Sequence, residues 1–308
     1  MPVTVKNCPL CSNQISTTFD QRQFRGQMVT NCICSNCGLV YQSPRMSEDD
    51  LPSFYSEEYR QLYQGSEGPT PKDLAVQAAR AEALLAFIMP KVQKISRHLD
   101  IGCSAGLFLK RLQDTYTCHS AGVEPSIAYR QYTQANGLKV FASIEECRYA
   151  LRQAGEAPFD LVSLVHVLEH LPDPVSYLSD ISHHFLAERG WLLVEVPNLY
   201  GHDCFEIAHL ISYSPHTLAQ TLQQAGYEIQ NQEVHGRPRS TSIPLYITTL
   251  SITAAPSRLQ TLPKLPIPER TVKRKRQIAM LHRRLVTQLD PKRAWLPLTS
   301  PPGLHPKK

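Results

Sequence analysis

Three groups of residues in this chain have side chains suited to chemistry. The first is a set of four cysteines, Cys8-Pro-Leu-Cys11 and Cys34-Ser-Asn-Cys37, two C-x2-C pairs separated by 22 residues. Each pair can turn two thiolates toward one ion at about 2.3 Å, and two pairs complete a tetrahedron. Four thiolates close the coordination shell, so the ion expected here, zinc, is structural rather than catalytic. Cys32 is an alternative ligand, but Cys34 keeps the symmetric spacing. The second group is Asp100-Ile-Gly102-Cys103-Ser104-Ala-Gly106, followed about 20 residues later by Glu124-Pro125. Glycines at these positions permit a tight turn after a strand and a close approach of backbone to a ligand. A carboxylate ending the next strand can accept two hydrogen bonds from a 2',3'-diol, so the pair suits a nucleotide-like ligand. The third group is histidine-rich: His166, Glu169 and His170, then Glu206 and His209. Imidazoles of this kind serve as general bases near neutral pH or as packing residues.

The elements that must position these groups follow from periodicity. Strands are predicted near 96–101, 119–124, 138–142, 159–165 and 190–196, with helices near 105–115, 126–136, 144–154 and 174–187 between them. Such alternation specifies a parallel sheet with right-handed crossovers and ligands outside the carboxyl ends of its strands. A helix over 73–89 precedes this unit. A helix over 214–225 and the segments Tyr227–His235 and Leu245–Ile252 follow it, the last two as antiparallel end strands. The fourth strand ends at Leu164-Val165-His166, which makes His166 a candidate wall of the ligand pocket. His183 and His184, inside a helix, read as packing residues.

Taken together, Asp100-Ile-Gly-Cys-Ser-Ala-Gly106, Val123-Glu124-Pro125 and Phe159-Asp-Leu-Val-Ser-Leu-Val-His166-Val-Leu-Glu169-His170-Leu-Pro-Asp173-Pro174 resemble a class I S-adenosylmethionine-dependent methyltransferase over roughly residues 72–250. Ser104 stands where many members have glycine. No Gly-x-Gly-x-x-Gly is present, which argues against a nicotinamide-binding domain. The resemblance implies a Rossmann-like α/β sheet. It implies that Asp100, Gly102, Cys103, Ser104 and Gly106 hold the methyl donor together with Glu124 and Pro125. It also brings the loop at Ser143 to the adenine and His166 to the pocket wall. The cysteine module, then Gly38-Leu-Val-Tyr-x-x-Pro44 and Phe54-Tyr55-x-x-x-Tyr59, resembles sugar C-methyltransferases and their relatives, in which such tyrosines lie over the cofactor. Aromatic faces suit a cationic sulfonium. The alternative is that Tyr55 and Tyr59 pack a helix onto the core. Ala208-His209-x-x-x-Tyr213-Ser214 is similar to the Glu-His-x-x-x-Phe-Ser element of those enzymes, with alanine in place of glutamate and tyrosine in place of phenylalanine. His209 is the candidate catalytic base, and His235-Gly236 matches a His-Gly that borders the same pocket.

Composition sets the frame. The chain has 308 residues, of which 42% are apolar, and a formal charge of +5. The last segment, 255–308, carries 13 Lys and Arg against 2 Asp and Glu, which leaves 19 basic and 25 acidic side chains elsewhere. The body is therefore mildly acidic and the tail basic. The expected organisation is a zinc-binding module at 1–44, an aromatic lid and linker at 45–72, the S-adenosylmethionine-binding domain at 73–254 and a basic, Pro-rich tail at 255–308. Proline density argues against a compact fold in the tail, although Thr271–Leu289 has helical spacing that suits docking to an acidic partner, RNA, a membrane surface or the body itself. There is no apolar run long enough to span a bilayer and no signal-peptide pattern at Met1-Pro-Val-Thr-Val-Lys6, so a cytoplasmic protein is expected. Methylation, at carbon or oxygen, of a small polar acceptor such as a sugar or sugar nucleotide is the leading function. RNA methylation, with the zinc module and tail gripping phosphates, is less favoured, as is a binding protein without turnover. The sequence sets no oligomeric state.

Overall fold

The computed structural model describes residues 2–66, 68–203, 205–254 and 267–297. The N-terminal cysteines flank a hairpin of β1 (Ser16–Phe24) and β2 (Gln27–Cys34), joined by Arg25-Gly26 with both residues at positive φ. β3 (Val40–Gln42) adds to β2. A short helical run follows: α1 (Leu51–Ser53), a π-turn over Phe54–Glu58, and α2 (Tyr59–Gln64), which Gly65 stops in a left-handed cap. α3 (Pro71–Ile88) begins at a capping box in which Thr70 and Asp73 satisfy each other's backbone N–H, with Pro71 at the first position.

The alternating unit comprises β4 (Arg97–Ile101), α4 (Leu107–Tyr116), β5 (His119–Val123), α5 (Ile127–Ala135), β6 (Lys139–Phe141), α6 (Ile144–Ala154), β7 (Phe159–Val165), α7 (Pro174–His184) and β8 (Leu186–Pro197). It is completed by a two-residue strand β9 (Ile211–Ser212), α8 (Pro215–Gln224), β10 (Tyr227–His235) and β11 (Tyr246–Thr253). Seven strands form one sheet in the order β10-β11-β8-β7-β4-β5-β6. β4 to β8 run parallel, and β11 and β10 are antiparallel. The near-continuous apolar run of β7 is what a strand covered on both faces requires. Strand order reverses between β4 and β7, so a crevice opens at their carboxyl ends. α7 ends at His184, three residues short of the predicted boundary, because Leu186 is drawn into the ladder opposite Phe159.

Two contacts join the outer segments to this body. β9 pairs with β3, so the N-terminal hairpin and a loop of the sheet domain share a four-stranded sheet, β1-β2-β3-β9. The basic segment from Glu269 also docks on the body, one of the placements that its helical spacing allowed. α9 (Glu269–Leu289) buries Val272 among Ile33, Val40, Leu199 and Phe205. Arg276 donates to the carbonyl of His202 at 3.1 Å and stacks 4.4 Å over Phe205. α10 (Pro291–Ala294) buries Ala294 against Ile243, Leu245 and Tyr246. The proline-containing stretches 255–266 and 298–308 lie outside the described residues.

Candidate functional site

A cavity of about 800 Å³ opens at the carboxyl ends of β4, β5 and β7, where the strand order places it. The turn after β4 forms one end. Gly102 has φ +75°, and a Cβ there would lie 2.4 Å from Val167 Cγ2, so only glycine fits. Ser104 takes a left-handed conformation at φ +51°, the strained backbone state often found at ligand sites. Asp100 and Cys103 line the cavity and are buried. Gly106 does not reach it. Its positive φ starts α4, and a Cβ there would strike Thr133 and Leu138, so its role is packing. Behind the turn, Asp100 Oδ1 accepts from Ser163 Oγ at 2.6 Å, and Ser163 Oγ lies 2.8 Å from His98 Nε2. Burial pushes the Asp100 carboxyl up to about 7 and lowers His98 to about 3.

Glu124, just past β5, is 2% exposed. Its Oε2 accepts from the Ser104 N–H at 2.9 Å and its Oε1 from the Ser126 N–H at 3.0 Å. These two backbone bonds turn the carboxylate edge-on to the cavity. Arg60 of α2 lies 3.4 Å from both oxygens, donates to Ser104 Oγ at 3.2 Å and stacks 3.9 Å over Tyr129. Pro125 and Ser143 also line the cavity. Ser143 Oγ caps α6 by accepting from the Glu146 N–H at 3.2 Å.

The opposite end of the cavity is built of rings. Tyr55 donates to the Ala208 carbonyl at 3.2 Å, and Tyr63 accepts from the Ala208 N–H at 3.2 Å. The ring centroids of Tyr55 and Tyr59 lie 5.4 and 5.7 Å from that of His170. The tyrosines thus line the cavity and also pack the helical run onto the body. His166 lines the cavity at φ +57° and is held by Arg80, whose guanidinium donates to Glu195 Oε1 at 2.6 Å. Thr248 donates to Glu195 Oε2 at 2.7 Å. Burial, then the Arg80 charge, holds His166 well below its ordinary pKa, so it is neutral. Burial alone would raise Glu195, but Arg80 and the bonds from His235 and Thr248 hold it below the usual value. His235 does not line this cavity. Its Nε2 lies 2.6 Å from Thr248 Oγ1, one layer behind. Glu169, His170, His202 and His209 complete the wall. His209 Nδ1 lies 3.6 Å from Glu206 Oε1.

Sequence reasoning missed Arg60 and Arg80. Arg60 sits inside the aromatic run Phe54–Tyr59-Arg60. Arg80 lies in a helix otherwise rich in Ala and Leu, where an isolated arginine on the buried face is itself a signal of a charged partner.

At the other end of the four-stranded sheet, the sulfurs of Cys8, Cys11, Cys34 and Cys37 all lie within 4.8 Å of one another. The Cys8–Cys37 and Cys11–Cys34 sulfurs are 3.6 and 3.5 Å apart. This is far longer than a disulfide (about 2.05 Å) and close to the edge of a tetrahedron with metal–sulfur bonds of about 2.3 Å, roughly 3.8 Å. The cluster is a candidate metal site with a closed, four-thiolate donor set. Cys32 stands outside it.

Comparison with known proteins agrees with this architecture. Residues 74–232, just over half the chain, match the model of a family described as a methyltransferase domain. The ubiquinone biosynthesis O-methyltransferases of Hahella chejuensis (strain KCTC 2396) and Serratia proteamaculans (strain 568) are 30% and 32% identical over 86 and 88 residues, 27% and 28% of this chain. The matched stretch spans 36% of each of those relatives' length. Among solved structures, the 1,6-didemethyltoxoflavin-N1-methyltransferase of Burkholderia thailandensis, determined with its substrate and S-adenosylhomocysteine bound, shares the fold. It has a TM-score of 0.51 at 16% identity, covering 77% of this chain and 100% of that one. With the strand order, the crevice at the β4–β7 reversal and the family match in agreement, the chain belongs to the methyltransferase-domain family and has a Rossmann-like α/β fold.

Proposed function

We propose that the chain methylates a hydroxyl of a small polar acceptor, a sugar or sugar nucleotide, with the donor at the Asp100–Glu124 end of the cavity and the acceptor at the His209 end. The observation that carries this reading is one continuous cavity with a diol-binding carboxylate at one end and an imidazole–carboxylate pair at the other. The residues fit the donor. Glu124 can offer both oxygens to a diol that displaces the long Arg60 contacts, Asp100 faces the same space, and Gly102 adds no side chain there. On this reading Cys103, Ser104, Pro125 and Ser143 shape the adjoining wall, Gly106 sets the turn that presents it, and His166, Tyr55 and Tyr59 close the space around the reacting centre. When bound, S-adenosylmethionine supplies an electrophilic methyl group. The protein's part is to align the acceptor oxygen and exclude water. Tyr55, Tyr59 and Tyr63 roof the acceptor end, and His209, with Glu206 behind its Nδ1, accepts the hydroxyl proton.

Hydroxyl rather than carbon is favoured because Ala208 replaces the carboxylate that the sugar C-methyltransferases carry there. An imidazole paired with a carboxylate is base enough for a hydroxyl. The two ubiquinone O-methyltransferases agree with oxygen as the accepting atom, over the third of their length that matches. A cavity of about 800 Å³ suits a small acceptor, and Arg276 and Val272 of α9 are engaged by the body, which leaves less of that helix to grip RNA. The cysteine cluster would hold structural zinc, and the module at 1–44, the lid at 45–72, the domain at 73–254 and the tail from 255 would form one cytoplasmic enzyme. No helix among the described residues is long and apolar enough to cross a membrane.

The test is calorimetric titration of the metal-replete protein with S-adenosylhomocysteine, followed by labelled methyl transfer to a panel of nucleotide sugars. Saturable one-to-one binding and label on a sugar oxygen are expected. Absence of binding by folded protein overturns the donor site, and label confined to RNA overturns the acceptor.

A further inference from the structure

The acceptor end of the cavity holds a group the methyl-transfer reading does not need. Glu169 is 1% exposed, and neither of its carboxylate oxygens has a hydrogen-bond partner among the described residues. Of the arginines that line the cavity, Arg80 is paired with Glu195 and Arg60 with Glu124. The nearest group, His166 Nδ1, lies 3.3 Å from Oε1 but makes no hydrogen bond to it. A buried carboxyl so weakly partnered is costly, and its retention asks for a partner that enters the cavity.

Around it stand two imidazoles. Ligand atoms of Glu169, His170 and His209 all lie within 4.8 Å of one another. His170 Nδ1 donates to the Ala208 carbonyl at 2.8 Å, which fixes the tautomer and leaves Nε2 as the lone-pair nitrogen. His209 Nδ1 is backed by the Glu206 carboxylate at 3.6 Å. Histidines that bind metals are characteristically oriented this way, with the far nitrogen held by a carbonyl or a carboxylate.

We infer that Glu169, His170 and His209 form a divalent-cation site on the wall of the acceptor cavity, separate from the four-cysteine cluster. Two imidazoles and one carboxylate suit Mn²⁺, Fe²⁺, Co²⁺ or Zn²⁺ rather than the all-oxygen shells of Mg²⁺ and Ca²⁺. Three protein ligands leave coordination positions open to the cavity, as in sites that take a substrate or water. An acceptor with two neighbouring oxygens, such as a vicinal diol or a hydroxy acid, would chelate the ion there. In the loaded protein the cation takes the place of the His209 imidazole as the group that favours the acceptor's oxyanion, and the hydroxyl proton leaves to solvent water as the acceptor binds. This last point rests on the acceptor reading above, whereas cation binding does not.

Titration with Mn²⁺, followed by the paramagnetic resonance of the free ion, tests the site in the full chain after its cysteine cluster has been loaded with Zn²⁺ and excess metal removed. One saturable Mn²⁺ per chain is expected. Glu169→Gln and His209→Gln should abolish it, and Glu206→Gln, behind the ligand, should weaken it about 10- to 100-fold. Melting curves and S-adenosylhomocysteine titrations of the same samples report whether each variant is folded. No saturable uptake by the wild-type protein, or uptake indifferent to Glu169→Gln, His209→Gln and Glu206→Gln alike, overturns the inference. Mn²⁺ uptake by a protein that fails to bind S-adenosylhomocysteine would overturn the donor site and leave the cation site standing.

Discussion

Replacing Glu124 tests the donor end most directly, because the structure lets its several jobs be separated. The carboxylate holds the Ser104 and Ser126 N–H groups, pairs with Arg60 and, in the proposed function, receives a ribose diol. Two hydroxyl donors on a charged acceptor contribute about 1.5 kcal/mol each at the lower end of the usual range. The diol must displace Arg60, whose 3.4 Å contacts are long for hydrogen bonds and are worth about 1 kcal/mol. The net is about 2 kcal/mol, so Glu124→Gln should weaken S-adenosylhomocysteine about 30-fold in calorimetry. Its amide oxygen can satisfy only one of the two backbone donors, so the unliganded protein should also melt several degrees lower. Arg60→Ala runs the other way. With nothing to displace, affinity should rise about fivefold and association should quicken. Folded Glu124→Gln protein that binds within about threefold of wild type, or an Arg60→Ala variant that binds more weakly, would refute the reasoning.

Three further outcomes are expected. Arg80→Met strands the buried charge of Glu195 and should cost about 3–5 kcal/mol in denaturant unfolding, most of it recovered in Arg80→Met/Glu195→Leu, because the double variant leaves no unpaired charge; equal losses in both would count against it. Asp100, raised to about 7 by burial and then by the Glu124 charge, keeps a proton in the folded chain that the unfolded chain releases near pH 4. Its contribution is therefore complete below about pH 4 and lost as pH rises through 7, so Asp100→Asn should flatten the fall in stability between pH 5 and pH 8 measured by urea midpoints. Cys37→Ser should lower bound zinc to a substoichiometric level and cost about 2 kcal/mol or more, a drop of roughly 5 °C in melting, and unchanged zinc content would remove the cluster as a metal site.

The alternating unit was legible because each element obeys its own local rule. Val-Glu-Pro marks the end of β5, Ser143 and Ser214 sit at helix caps, and β7 is apolar on both faces. That Gly102 and Glu124 would line one crevice was legible for the same reason, since they lie on adjacent strand ends. What escaped depends on partners far apart in the chain. Arg60 meets Glu124 across 64 residues, and Arg80 meets Glu195 across 115. No periodicity reports such a pairing. Gly106 was assigned to ligand approach because a turn glycine looks the same from sequence whether a ligand or Leu138 occupies the space beside it. His235 was placed at the pocket for its neighbour Gly236, but the β10–β11 register turns its ring onto Thr248. The docking of α9 turns on Val272 and Arg276, two residues whose burial overrides the proline content around them.

The pairing of Val40 and Tyr41 with Ser212 and Ile211 carries a thermodynamic consequence. Those two residues follow closely on His209 and Leu210, and the Gln42 N–H is bonded to the Leu210 carbonyl at 2.8 Å. Whatever orders the cysteine cluster therefore also orders the backbone from which the acceptor end is hung, and the coupling is reciprocal. An acceptor that stiffens the 208–213 stretch should tighten the grip of the four thiolates on their ion by the same factor by which that ion tightens the acceptor. On the proposed reading, a chain starved of metal would then lose its selectivity for acceptor before it lost its donor, since Gly102 and Glu124 lie at strand ends of the larger sheet, which pairs with none of these strands.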